Sequence, residues 1–210
     1  MEIDIKTKEK IFRIAIDLFS RNGFYGVSIR DITKEVGIKE SSFYKHYHSK
    51  DDLLDRIFGY FNEEFAKIKS PIKDDGVLKT IDPVVFLKRA FQSFLQYADT
   101  PLMGKIYRIV VMEQFRDNRA RDILLNLYEK PLLIMKHYFH VFLSPKEAWP
   151  YDPEVLATIY QFALHSLVAE LSLLKRYQED TSLTEQRIDE LCTFMGEFLK
   201  HNSQEGRTVN

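Results

Sequence analysis

The segment Ser28–Leu54, SIRDITKEVGIKESSFYKHYHSKDDLL, restricts the chain more than any other. Ile29, Ile32 and Val36 recur about one helical turn apart and form one apolar face. Gly37 ends that pattern, as a residue that accepts a left-handed conformation does, and Ile38 follows as a buried plug. A second short helix, from about Lys39 to Tyr47, buries Phe43 and Tyr47, spaced i, i+4. Its other face carries Lys39, Glu40, Ser42, Tyr44, Lys45 and His46. Hydroxyls and cations on one face suit a helix pressed against a polyanion, since they donate to phosphates and base edges. A longer helix then starts at Ser49. Two helices bent around a glycine form a helix-turn-helix.

The likeness extends beyond the generic motif. Ser28-Ile29-Arg30-Asp31-Ile32, Gly37-Ile38, Phe43-Tyr44 and Ser49-Lys50-Asp51-Asp52-Leu53-Leu54 resemble the DNA-binding domain of the TetR family of transcriptional repressors. The resemblance runs from about Lys8 to Leu54 and takes in Ala15 and Phe19, ahead of Asn22-Gly23-Phe24. Beyond about residue 65 it rests on length and helical layout. Three positions depart from the family pattern. Lys39 stands where a capping Ser or Thr is usual, Ser41 where Gly or Ala is frequent, and Glu40 where a basic or small residue is common. These departures fall in the base-reading segment and leave the operator sequence open.

Composition fits a soluble globular protein: 45% hydrophobic and 29% charged residues in a chain of 210. Cys192 is the single cysteine, which points to a reducing, cytoplasmic setting. The opening MEIDIKTKEK is charged and has no apolar core of a signal peptide. No uninterrupted apolar stretch approaches about 18 residues, so no membrane span is expected. The net charge is −1, unlike the strongly basic balance common in nucleic-acid-binding domains. Residues 1–49 hold nine Lys and Arg against seven Asp and Glu. This small surplus implies a few placed phosphate contacts and weak nonspecific binding.

No segment alternates with period two, so the chain reads as all-α with about nine helices. The first runs from about Thr7 to Asn22, with Ile11, Phe12, Ala15, Leu18 and Phe19 on its core face. Ser28 with Asp31, and Ser49 with Asp52, have the spacing of helix caps. The fourth helix carries Leu54, Ile57, Phe58, Phe61, Phe65 and Ile68 on one stripe. Asp82-Pro83, Thr100-Pro101 and Asp152-Pro153 open helices at about 83–98, 101–116 and 153–177. A helix over about 119–142 stops at Ser144-Pro145, and Pro131 inside it should kink or split it. Ser182 with Glu185 starts a last helix to about 201, ahead of a frayed polar tail. The expected division is a three-helix DNA-binding domain over 1–49, a connector helix over 50–68, and a larger ligand-binding and dimerisation domain over 69–210, with 69–82 as linker.

The candidate DNA-binding residues are Ser28, Lys39, Glu40, Ser41, Ser42, Tyr44, Lys45, His46 and Lys50. Helix-turn-helix geometry puts the N-terminal residues of the recognition helix in the major groove. Lys39, Glu40, Ser41 and Ser42 are therefore expected near base edges. Tyr44, Lys45 and His46 are expected near phosphates. Lys50 matches a family lysine and stands at a helix N-terminus, which attracts phosphate. Ser28 either contacts phosphate, caps its helix, or does both.

The resemblance implies an effector pocket among the central helices, for which Phe91, Phe94, Met103, Tyr107, Met112, Phe115, Phe139, Phe162 and His165 are the candidates. Ordinary core packing is the competing reading for each. The family also implies a homodimer through the last two helices, here Leu167, Leu171, Leu174, Leu191, Met195 and Phe198. The helix over 153–177 is apolar on more than one side, which independently calls for a partner. His137 and His140 lack the accompanying ligands of a metal site, and no metal or cofactor is expected. Cys192 sits among apolar residues, where a thiol is inert.

No glycine-rich phosphate loop, nucleophile elbow or paired-cysteine motif supports an enzyme. The reading is a DNA-binding repressor, released from a near-palindromic operator by a small apolar or aromatic effector. The alternatives are an activator or accessory factor without an effector, and a protein-interaction module on a degenerate helix-turn-helix.

Overall fold

The computed structural model describes residues 2–67, 72, 74–98, 100–143 and 152–205. These form ten helices: α1 (Glu2–Asn22), α2 (Ile29–Val36), α3 (Glu40–Phe43), α4 (Lys50–Phe65), α5 (Asp75–Leu78), α6 (Pro83–Ala98), α7 (Pro101–Glu113), α8 (Asn118–Phe142), α9 (Pro153–Tyr177) and α10 (Ser182–Glu205). The all-α expectation holds. The proline-led starts of α6, α7 and α9 fall where the sequence puts them, with Thr100 and Asp152 capping the last two through their side chains. The added helix is α5, a single turn inside the expected linker. Asp74 caps it by accepting from the Gly76 and Val77 N–H groups, and Leu78 anchors it in the core. The expected stop at Ser144-Pro145 and the apolar position Ile68 lie outside the described residues.

Two compact units emerge, each discontinuous in sequence. The first comprises Met1–Ile68 and Gln96–Asn126. In it α1 buries Ile11, Phe12, Ala15, Ile16 and Phe19. The α4 helix adds Leu53, Leu54, Ile57, Phe58 and Phe61, and α7 adds Met103, Ile106, Ile109 and Val110. Both α4 and α7 pack on α1 and on each other. This differs from the expected division. The helix read as a connector belongs to the DNA-binding unit, and so does a helix assigned to the second domain, because their apolar faces complete the core that α1 begins.

The second unit comprises Lys69–Leu95 and Leu127–Asn210. Its core is built from Leu78, Phe86, Leu87, Tyr138, Phe139, Tyr160, Leu164, Ile188, Cys192 and Leu199, among others. The α8 helix runs unbroken through Pro131, and is not split. The turns that follow Pro131 bury Tyr138 and Phe139 completely, so packing outweighs the lost backbone hydrogen bond. α10 crosses α6 closely at Gly196, where a Cβ would sit 2.5 Å from Val84 Cα. The same two helices are tied by Lys88–Asp189 at 2.6 Å and by Lys200 to Asp82 at 2.8 Å. By length and composition α9 is apolar enough to cross a membrane. In this fold it buries Ala157, Tyr160, Leu164 and Leu171 in the unit core.

Candidate nucleic-acid interface

Local chemistry fixes α2. Ser28 Oγ accepts from the Asp31 N–H at 3.1 Å, and the Asp31 carboxylate accepts from the Ser28 N–H at 2.8 Å. This is a complete capping box. The Ser28 hydroxyl also donates to Asp31, and these bonds hold the Asp31 carboxyl below its usual range. At the other end Gly37 is left-handed, with φ 81° and ψ 35°. Lys10 of α1 donates to the Val36 carbonyl at 2.8 Å and satisfies one C-terminal orphan group.

The recognition helix α3 is a single turn, shorter than the expected span to Tyr47. Lys39 occupies the N-cap position and makes no side-chain cap. A hydrogen-bonded turn continues the chain, with the His46 and Tyr47 N–H groups donating to the Phe43 carbonyl. Phe43 and Tyr47 are buried and lie against each other with ring centroids 5.8 Å apart. Burial pushes the Tyr47 phenol up to about 12. With the aromatics inside, Lys39, Glu40, Ser41, Tyr44 and Lys45 are all exposed, and Ser42 and His46 are half-buried. Five of the side chains of this segment expected to meet DNA are thus open to solvent.

Lys50 is turned inward. Its ammonium donates to the Phe24 carbonyl at 2.8 Å and to the Val27 carbonyl at 2.7 Å. It also lies 4.2 Å from the Phe24 ring centroid. Burial draws its pKa below the lysine norm, and the nearby Glu113 carboxylate opposes that shift. Two of three donors are therefore committed to the α1–α2 loop, which makes Lys50 a loop anchor. Sequence reasoning missed Glu113. Glu113 ends α7, is 3% exposed, and accepts from the Phe24 N–H at 3.0 Å. Two further ties join the segment after residue 100 to α1 and α4: Lys105–Asp17 at 2.6 Å and Arg119–Asp51 at 2.7 Å.

The nine effector candidates are divided between the two units. Met103, Tyr107, Met112 and Phe115 fall in the first unit, and Phe91, Phe94, Phe139, Phe162 and His165 in the second. Phe115 is 92% exposed, whereas Phe139 is sealed in the core against Tyr160. Phe162 stacks on Tyr128 at 6.0 Å, and Tyr128 also lies 4.3 Å from the His165 ring. Burial lowers the His165 pKa. Of the dimer candidates, Leu171 and Met195 are buried in the subunit's own core, a difference from expectation, and Leu167, Leu174, Leu191 and Phe198 are half-buried. The large apolar residues left outward on these helices are Val155, Ile159, Phe162, Leu173 and Tyr177 of α9, with Leu183 and Phe194 of α10.

His137 lies 2.9 Å from Asp75, and His140 lies 3.7 Å from Glu154. No group of three or more His, Cys, Asp or Glu side chains is placed to hold a metal among the described residues. Cys192 is buried beside the Tyr160 hydroxyl at 3.4 Å, and burial pushes its thiol up.

Residues 11–57 match the family model described as bacterial regulatory proteins of the tetR family. The chain is similar to the negative transcriptional regulator IcaR of the biofilm operon icaADBC from Staphylococcus aureus strain Newman. The two are 32% identical over 153 residues, which span 68% of this chain and 81% of the relative. The chain belongs to the tetR family. Tet-repressor-like regulators also share its fold. A tetR-family protein from Rhodococcus RHA1 superposes with TM-score 0.63 at 18% identity, covering 90% of this chain and 96% of that one. A TetR regulator from Chloroflexus aurantiacus J-10-FL gives 0.61 at 23% identity, covering 93% and 96%. Members of the tetR family are DNA-binding transcriptional regulators that dimerise, and not enzymes.

Proposed function

We propose that this tetR-family regulator is a cytoplasmic repressor whose homodimer holds a near-palindromic operator and lets go when a small, largely apolar or aromatic effector binds. The observation that carries this reading is the outer side of α3, where Lys39, Glu40, Ser41, Tyr44 and Lys45 stand exposed around a buried Phe43–Tyr47 anchor. Base reading falls to Lys39, Glu40, Ser41 and Ser42, and phosphate contact to Tyr44, Lys45 and His46. Ser28 can add a phosphate contact only alongside its capping bonds. The repressor sense draws on the similarity to IcaR, a negative regulator by its description.

The dimer is proposed to form through the outward face of α9 and α10, including Ile159, Leu173 and Phe194. A two-fold pair sets its recognition helices about 34–36 Å apart, one turn of DNA. The effector is proposed to bind in the second unit near Tyr128, Phe162 and His165, where a half-buried imidazole beside the Tyr128 ring, itself stacked on Phe162, offers one polar contact. Footprinting on the DNA flanking the chain's own gene tests the operator reading, with a protected near-palindrome as the expected result. Operator affinity that stays constant with every bound small molecule would refute release by an effector, since a ligand shifts an equilibrium only through differential affinity.

A further inference from the structure

The loop between α1 and α2 is held from two directions at a single residue. The Phe24 N–H donates to Glu113 Oε1 of α7 at 3.0 Å, and the Phe24 carbonyl accepts from Lys50 of α4 at 2.8 Å. Gly23, just before it, has φ +74°, and a Cβ there would lie 3.3 Å from Met112 Cε. The loop is thus pressed on the last turn of α7. Four residues after Phe24, Ser28 opens α2, and the Gly37 turn carries that placement to α3.

Glu113 is unusual in its setting. Ile106, Val110 and Glu113 lie on one stripe of α7, and all three are buried. An apolar side chain of similar size would serve packing alone at least as well, because burying a carboxylate carries a desolvation cost. What the carboxylate adds is the bond to the loop.

We propose that Glu113 is a positioning residue for DNA recognition, fixing the entry of α2 and hence the seat of α3 in the major groove through the Phe24 N–H. This rests on the DNA-binding reading. It also gives a helix far downstream in sequence a direct hold on the reading head.

The test uses the full-length protein. Wild type first selects bound fragments from a random-sequence duplex library. Affinity for a selected fragment and for the unselected pool is then compared for wild type, Glu113→Gln, Glu113→Asp and Glu113→Leu, well below each melting temperature. Gln keeps the acceptor oxygen at full reach. Asp keeps the charge but withdraws it by one methylene. Leu fills the volume without an acceptor and stands in if the Asp variant does not fold.

The selected fragment should bind Glu113→Gln within about twofold of wild type. It should bind the Asp and Leu variants about tenfold more weakly, as expected for one buried hydrogen bond. Affinity for the unselected pool should not change. Wild-type affinity in the Asp and Leu variants would overturn the proposal. So would a Gln loss as large as the Asp loss, which would assign the effect to charge, or an equal loss on both DNAs, which would mark simple unfolding. Wild type selecting no sequence would overturn the DNA-binding reading itself, and this proposal with it.

Discussion

Replacing Lys50 with Met keeps the aliphatic stem and removes the ammonium. Two charge-assisted hydrogen bonds disappear, at 2.8 Å to the Phe24 carbonyl and 2.7 Å to the Val27 carbonyl. So does the contact with the Phe24 ring at 4.2 Å. A hydrogen bond to a charged group contributes about 1.5–3 kcal/mol. Lys50 is half-buried, and water screens and partly replaces what it loses. Discounting both bonds by about half, and adding roughly 0.5 kcal/mol for the ring, gives a loss of about 2–3.5 kcal/mol. For a chain of this size about 2–4 °C in Tm accompanies each kcal/mol, so the variant should melt several degrees below wild type. Thermal denaturation followed by circular dichroism measures this. The salt dependence of DNA binding should keep its slope at temperatures where the variant is folded, because the ammonium faces the loop. Lys45→Met is the contrast: an unchanged Tm and a slope smaller by about one. A Lys50→Met protein that melts with wild type but loses one unit of slope would show that the ammonium faces phosphate and not the loop.

Gly196→Ala forces a Cβ against the Val84 backbone. It should destabilise the second unit by about 1–3 kcal/mol, read as a lower urea midpoint; an unshifted midpoint would mean that α6 and α10 separate freely. Burial lowers the His165 pKa, so below pH about 6.5 the unfolded chain takes up a proton that the folded chain resists. Stability from this group is full above that pH and declines as pH falls toward the folded pKa. His165→Phe should flatten this part of the urea-midpoint profile between pH 7.5 and 5.5, and an unaltered profile would argue against it. Phe194→Arg puts a charge on the outward face of α10 and should shift the protein from dimer to monomer in sedimentation; a dimer that persists would exclude that face.

What the sequence made legible is what local chemistry decides. Ser28 with Asp31 specifies a cap within four residues, Gly37 a left-handed stop, and the Asp-Pro and Thr-Pro pairs three helix starts. What it hid depends on distant partners. Lys50 looks like any solvated lysine at a helix N-terminus, and only the folded α1–α2 loop turns it inward. Pro131 reads as a kink or a split because local propensity says so, and with Tyr138 and Phe139 buried beyond it the helix is not split. The α9 helix is apolar on two sides, so periodicity alone could not say whether the side of Leu171 or that of Phe162 faces the chain's own core. Glu113 did leave a trace, as an acid on the buried stripe of Ile106 and Val110. Its partner, a backbone N–H nearly ninety residues upstream, left none.

The discontinuity of the first unit bears on how the chain is made. Residues 1–68 leave the ribosome well before α7 exists, and at about 5–20 residues per second the wait for residue 126 lasts several seconds. During that interval the faces of α1 and α4 that α7 will cover stay bare, and Phe24 has no carboxylate to hold its N–H. The nascent helix-turn-helix is therefore an unfinished reader, and grafting residues 1–68 onto another protein would transplant the motif without the helix that seats it. A working transplant would carry residues 96–126 as well.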